Sequence, residues 1–183
     1  MVPEAQLEST DQGVVATGEG WYVVNARETR WYHAEGRPAV CQLEGDVQFS
    51  QLGIYVYVLG PGQPMAMYHW EADQEDFLVL SGEGLLLVEG EERPLRQWDF
   101  VHCPPETRHV IIGAGSDPCV VVAVGARDRS VDNPDWGGYP VDEVALRRGA
   151  GVEQETNEPD EAYANVSPKR QPTRYHVGWL PDF

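Results

Sequence analysis

Two stretches of this chain carry residue types that do chemistry together. The first holds His69, Glu71 and Glu75, between Gly62-Gln-Pro-Met-Ala-Met-Tyr and Phe77-Leu-Val-Leu-Ser-Gly82. The second runs from Trp98-Asp99 to Pro104-Pro-Glu-Thr-Arg-His109. Two imidazoles and two carboxylates brought to one point make a site for a divalent ion, since both donor types bind such ions at about 2.0–2.2 Å. The i, i+2 spacing of His69 and Glu71 puts both on one side of a strand, and Met65 and Met67 are expected on that side too. Burying two carboxylates without compensation costs roughly several kcal/mol, and a cation removes that cost.

The elements that must position these groups read as all-β. Between residues 38 and 126, apolar or alternating runs recur every eight to twelve residues, bounded by turn residues. Gly53-Ile-Tyr-Val-Tyr-Val-Leu is the strongest, rich in β-branched and aromatic residues. Met65–Glu71 is expected as a strand. A turn at Ala72-Asp-Gln74 should let Glu75 open the next strand. Ser81-Gly-Glu-Gly84 and Glu89-Gly-Glu-Glu92 read as hairpin turns. His109 should open a strand just past the Pro104-Pro105 turn. Eight to ten short strands without intervening helices predict an antiparallel sandwich or barrel. Tyr55 and Tyr57, with Met67, are candidate pocket walls.

The two stretches resemble the paired signature motifs of the cupin superfamily. Its first motif runs Gly, five residues, His-x-His, three or four residues, Glu, six residues, Gly; here His69-x-Glu71, three residues, Glu75, six residues and Gly82 match it. Its second runs Gly, five residues, Pro-x-Gly, two residues, His, three residues, Asn; here Trp98, Pro104-x-Glu106, His109 and Gly113 occupy those places. Glu71 replaces the second histidine. Trp98, Glu106 and Gly113 replace two glycines and the asparagine. The resemblance covers about residues 50–126. It implies a double-stranded β-helix, the jelly-roll or cupin barrel, with His69, Glu71, Glu75 and His109 around one divalent metal (Zn, Fe, Mn or Ni). Two imidazoles and two carboxylates would leave that ion nearly neutral, so small dicarboxylates are poor candidates for its shell. His69, Glu75 and His109 alone also make a two-histidine, one-carboxylate triad.

Bulk properties narrow the class. At 183 residues, with 42% hydrophobic and 10% aromatic content, the chain can bury a proper core. A net charge of −17 argues against nucleic acid as a partner. No apolar run approaches the roughly 18–20 residues of a membrane helix, and the start lacks a basic segment followed by an apolar one, so no signal peptide is expected. Cys41, Cys103 and Cys119, widely spaced, read as buried reduced thiols in a cytoplasmic protein.

Three regions are expected: an N-terminal arm with edge strands (1–37), in which Trp21–Val24 and Arg30–His33 add the strands; the barrel (38–126); and a tail (127–183) packing on the barrel or a partner subunit. In that tail Asp142–Arg148 reads as a short capped helix, residues 153–172 as an extended wrap, and Tyr175–Phe183 as a packed aromatic terminus. The function this implies is a metal-binding cupin, expected as a homodimer, acting on a small polar molecule as an oxygenase, isomerase or lyase, with Glu71 or Glu75 as a base if either leaves the metal. The alternative is a non-catalytic module binding or sensing a small, sugar-like ligand.

Overall fold

The computed structural model describes residues 1–128 and 136–182. An N-terminal hairpin of β1 (Gln6–Thr10) and β2 (Gly13–Thr17) precedes β3 (Trp31–His33), β4 (Ala39–Gln42) and the long β5 (Leu52–Leu59). Next come β6 (Trp70–Glu71), β7 (Glu75–Ser81), β8 (Glu83–Val88), β9 (Glu91–Arg96), β10 (Phe100–Cys103), β11 (His109–Ala114) and β12 (Cys119–Ala126). After them follow β13 (Gly137–Gly138), α1 (Glu143–Arg147), α2 (Pro159–Ala162) and β14 (Gln171–Thr173). The main sheet has the order β10-β7-β12-β5-β4-β3-β14, and a three-stranded sheet, β11-β8-β9, faces it. Neighbours within both are antiparallel. This is a double-stranded β-helix of the jelly-roll type.

Strand alternation sorts the side chains into layers. Tyr55, Tyr57 and Leu59 on β5, Phe77 and Val79 on β7, Leu86 on β8, Ile111 on β11 and Val121 and Ala123 on β12 fill the space between the sheets. On the other face of the main sheet, Val56, Val58 and Val120 join Trp31 and Cys41 beneath Tyr175, Trp179 and Leu180 of the tail. Leu87, Val110 and Ile112, on the outside of the small sheet, are covered by Tyr68, Ala145 and Ala150. Helix α1 forms as its caps predict: Asp142 accepts from the Ala145 N–H at 2.8 Å, and Gly149 follows with φ 70°.

The turns show where local signals suffice. Glu89 and Gly90, with φ of 48° and 77°, make the tight β8–β9 hairpin that the sequence predicts. Ser81–Gly84 makes no hairpin. Strand β7 pairs with β10 and β12, whereas β8 pairs with β9 and β11, so the chain here crosses from one sheet to the other. Gly82 permits the crossing: its φ is 74°, and a Cβ there would lie 2.4 Å from the Pro118 carbonyl oxygen.

Other expectations are corrected by long-range packing. Trp21–Val24 forms no strand and makes only a bridge from Trp21 to Glu4. Strand β3 is internal, because β14 pairs outside it. The strand expected at Met65–Glu71 shrinks to Trp70–Glu71, since its backbone donors go to separate acceptors: Met65 to Ile111, Met67 to the Tyr163 hydroxyl, Tyr68 to Ala150. The expected extended wrap contains α2, with Pro159 at its first turn. Phe183, part of the expected aromatic terminus, and residues 129–135 of the tail lie outside the described residues.

Candidate metal centre

His69 and His109 meet across an antiparallel bridge in which each backbone N–H donates to the other's carbonyl, at 3.2 and 2.8 Å. That pairing places the two rings together, with centroids 4.9 Å apart. Glu75 comes from the first residue of β7, where alternation turns it inward in step with Phe77 and Val79, while Asp76 turns out to meet His102. The ligand atoms of His69, Glu75 and His109 all lie within 4.8 Å of one another.

Hydrogen bonds at the rear of each ring set its tautomer. His69 Nδ1 lies 2.8 Å from the Met67 carbonyl oxygen, and His109 Nδ1 lies 2.9 Å from that of Thr107. A carbonyl only accepts, so each Nδ1 carries a proton. In the neutral rings both Nε2 atoms then present lone pairs towards Glu75 Oε2, at 3.5 Å from His69 and 3.2 Å from His109. His109 Nε2 and Glu75 Oε2 are buried and make no aligned hydrogen bond. Three inward donors with the remote nitrogens tied to backbone carbonyls suit a divalent ion, and the donor set fits the metal that the motifs imply.

Without an ion, the site draws protons. Burial opposes a charged His69, but the contact and charge of Glu75, with the charge of Glu71, outweigh it and raise its pKa to about 9. For His109, burial is likewise outweighed, by the Cys103 thiol and Glu75, and its pKa also rises to about 9. Burial alone would raise Glu75, yet the two imidazoles hold its carboxyl far below the usual range. Either protons or a cation must supply positive charge here.

Glu71 stands beside this group. Its Oε1 is 3.8 Å from His69 Nε2, and it does not join the three-residue cluster. Burial and then the charge of Glu75 raise its pKa to about 7. Its carbonyl is anchored by the backbone N–H of Glu106 at 2.7 Å. Glu106 has φ 69° and Trp98 has φ 73°, so the left-handed backbone persists at both places where the motif has glycine. At Gly113, in the asparagine's place, a Cβ would lie 2.2 Å from the Gly60 carbonyl oxygen, and glycine is required.

His69, Glu71 and Glu75 line a cavity of about 580 Å³. Tyr55 and Tyr57 are in its wall as expected, but Met67 is not: it is buried against Tyr139, Val152 and Ala162. The irregular path of residues 65–69 breaks the alternation that would have turned it inward. Sequence reasoning missed Arg127, Trp136, Tyr139 and Tyr163, which also line the cavity. The aromatic residues among them stand out in an otherwise polar tail, which was the available signal. Arg127 pairs with Glu44 and donates to Tyr55 Oη at 2.9 Å and to the Phe49 carbonyl.

Residues 55–125 match the family model described as "Cupin domain". This segment is a cupin domain. Among solved structures, a protein named for sugar phosphate isomerase activity from Acidithiobacillus ferrooxidans is 29% identical, with 49% of this chain and 59% of that one aligned and a TM-score of 0.46. An uncharacterized protein with a double-stranded β-helix domain from Klebsiella pneumoniae is 24% identical over 51% of this chain and 80% of that one, with a TM-score of 0.46. A DMSP lyase from Ruegeria pomeroyi is 23% identical over 69% of this chain and 58% of that one, at 0.45. The chain thus spans under two thirds of the first and last of these. No curated protein matches it. The cupin domain supplies His69, Glu75 and His109, and the flanking segments add Arg127, Trp136, Tyr139 and Tyr163 around them. Among the described residues, no helix is long and apolar enough to cross a membrane.

Proposed function

We propose that this protein is a metal-dependent enzyme that holds one divalent ion on His69, Glu75 and His109 and relocates a proton on a small polar molecule in the cavity. The observation that supports the reading is the convergence of two imidazole nitrogens and one carboxylate oxygen on a single point, with His109 Nε2 and Glu75 Oε2 buried and unpartnered. When bound, such an ion polarises a substrate oxygen and acidifies the adjacent C–H or O–H groups. Glu71 is the residue placed to exchange that proton, because its carboxyl titrates near neutrality and lines the same cavity. Isomerase or lyase chemistry follows from this more directly than oxygenation.

The cavity walls favour a neutral substrate. Arg127, the single Lys or Arg among the described lining residues, is already engaged by Glu44 and Tyr55. With its oxygen accepting from Arg127, Tyr55 keeps its own O–H for a substrate oxygen. The same hydroxyl-rich wall favours the second reading, a sugar-like ligand bound without turnover. A homodimer remains part of this proposal, supported by the exposed Trp98 and Phe100 beside edge strand β10.

Metal analysis of protein purified without chelator, followed by proton-exchange NMR in D2O with reloaded protein and a panel of sugars and hydroxy ketones, tests the reading. Deuterium incorporation that depends on metal and vanishes in Glu71→Gln is expected. Saturable binding without exchange supports the binding module, and absence of bound metal overturns both.

A further inference from the structure

The two histidines of the metal centre are held from behind in different ways. Thr107, whose carbonyl faces His109 Nδ1, sits in a local turn: its N–H and its hydroxyl both donate to the Pro104 carbonyl, at 3.2 and 2.7 Å. That support lies within residues 55–125, the matched cupin domain. Met67, whose carbonyl faces His69 Nδ1, is held instead from the tail.

The Met67 N–H donates to Tyr163 Oη at 3.0 Å, and the next N–H, that of Tyr68, donates to the Ala150 carbonyl at 2.6 Å. Ala150 and Tyr163 stand just past the ends of α1 and α2. The Tyr68 N–H and the Met67 carbonyl belong to one planar peptide unit, so Ala150 sets its tilt while Tyr163 sets the unit before it. Together they fix the backbone angles of Met67, and with them the direction of the carbonyl that holds the His69 ring. Met67 is buried, so water is a poor substitute for the tyrosine hydroxyl. Tyr163 bears on His69 by a second route. Its ring packs edge-on against Tyr139, centroids 5.8 Å apart, and the Tyr139 ring lies 6.0 Å from that of His69.

We propose that Tyr163 is a positioning residue of the metal centre: acting through Met67 it orients His69, so that the tail completes a site whose ligands all come from the cupin domain. This rests on the metal-binding reading above and gives the tail a part in it. Partners behind ligating histidines change metal affinity by about 10–100-fold. Tyr163 acts one peptide further out, so loss of its hydroxyl should weaken binding by about tenfold.

The test compares Tyr163→Phe, which keeps the ring and removes only the hydroxyl, with Tyr175→Phe. Tyr175 also carries a tail hydroxyl that accepts a backbone N–H, from Leu180 at 3.3 Å, but it packs on the opposite face of the main sheet. Zinc affinity of the full chain is measured by chelator competition, and the imidazole N–H signals of the zinc-loaded protein by proton NMR. Tyr163→Phe is expected to bind zinc about tenfold more weakly and to shift or broaden the His69 ring signal while that of His109 stays. Tyr175→Phe should change neither. Unchanged affinity with an unmoved His69 signal overturns the proposal. So does a loss matched by Tyr175→Phe, or one that moves both ring signals or neither, since Tyr163 would then act on stability alone. If Tyr163→Phe does not fold, Tyr139→Leu, which cuts the second route, must give the same selective shift, and its absence overturns the proposal equally. A parent protein that binds no divalent metal overturns the metal-binding reading itself.

Discussion

His109 Nε2 and Glu75 Oε2 lie 3.2 Å apart, both buried and neither in an aligned hydrogen bond. Two acceptors meeting in this way require a positive charge between or upon them. Glu75→Gln and His109→Ala should therefore weaken divalent-metal binding by about 100-fold or more, whereas Glu71→Gln, outside the cluster, should stay within a few-fold of the parent. Competition titrations with a chromophoric chelator measure all three. Equal loss in Glu71→Gln would make Glu71 a ligand and not a base.

The metal-free protein should lose stability as pH rises. Each histidine, raised from 6.5 to about 9, contributes stability that is complete below pH 6.5 and lost as pH climbs through about 9. Glu71, raised from 4.5 to about 7, adds a penalty that grows over that interval. Glu75, depressed from 4.5, acts oppositely, and its contribution is lost only as pH falls below that value. Stability should thus peak near pH 4.5, fall gradually as Glu71 ionises, and fall further above 6.5 as the histidines lose their protons. Metal competes with the same protons, so its stabilising effect should widen towards alkaline pH. Thermal melts with and without metal across this range check it; a flat metal-free profile would refute the proposed linkage.

Left-handed backbone at Glu106 and Trp98 costs each of these side chains about 1–2 kcal/mol. Both are largely exposed, so little packing is lost on truncation. After the extra chain entropy of glycine, Glu106→Gly should stabilise by about 0.5–1 kcal/mol, and Trp98→Gly should do so at concentrations where the chain is monomeric. Urea denaturation midpoints provide the measurement, and a fall in either midpoint would show that the side chain makes an interaction of its own.

Trp31 is completely buried, and Trp179 of the tail packs on it with ring centroids 5.1 Å apart. Trp31→Ala should cost about 3–5 kcal/mol. Trp179→Ala, removing a half-buried cover, should cost less and shift tryptophan fluorescence. An unchanged melting temperature in Trp179→Ala would mean that the terminus does not hold the sheet.

Much of the fold was legible because it depends on local chemistry. Alternation in β5 and β7, the Glu89-Gly90 turn and the Asp142 cap each settle their own conformation within a few residues. The spacing of His69, Glu75 and His109 was legible for a related reason: once each opens or flanks a strand, period-two geometry turns it inward. Met67 broke that rule because its partners are Tyr163 and Val152, far along the chain, and no window of neighbouring residues contains them. The Ser81–Gly84 crossing failed similarly, since a turn's residues specify its bend and not which sheet receives the next strand.

The sequence by itself determined an antiparallel sandwich or barrel, since side-chain period and turn chemistry are local properties, and the resemblance of its two motifs implied the jelly roll and the histidines and carboxylates of its site. Only the tertiary structure decided that Glu71 stands beside the three-donor cluster and that Arg127 is neutralised by Glu44. Those outcomes depend on distances between segments up to 83 positions apart, from Glu44 to Arg127. Packing sets such distances, and residue order does not encode them.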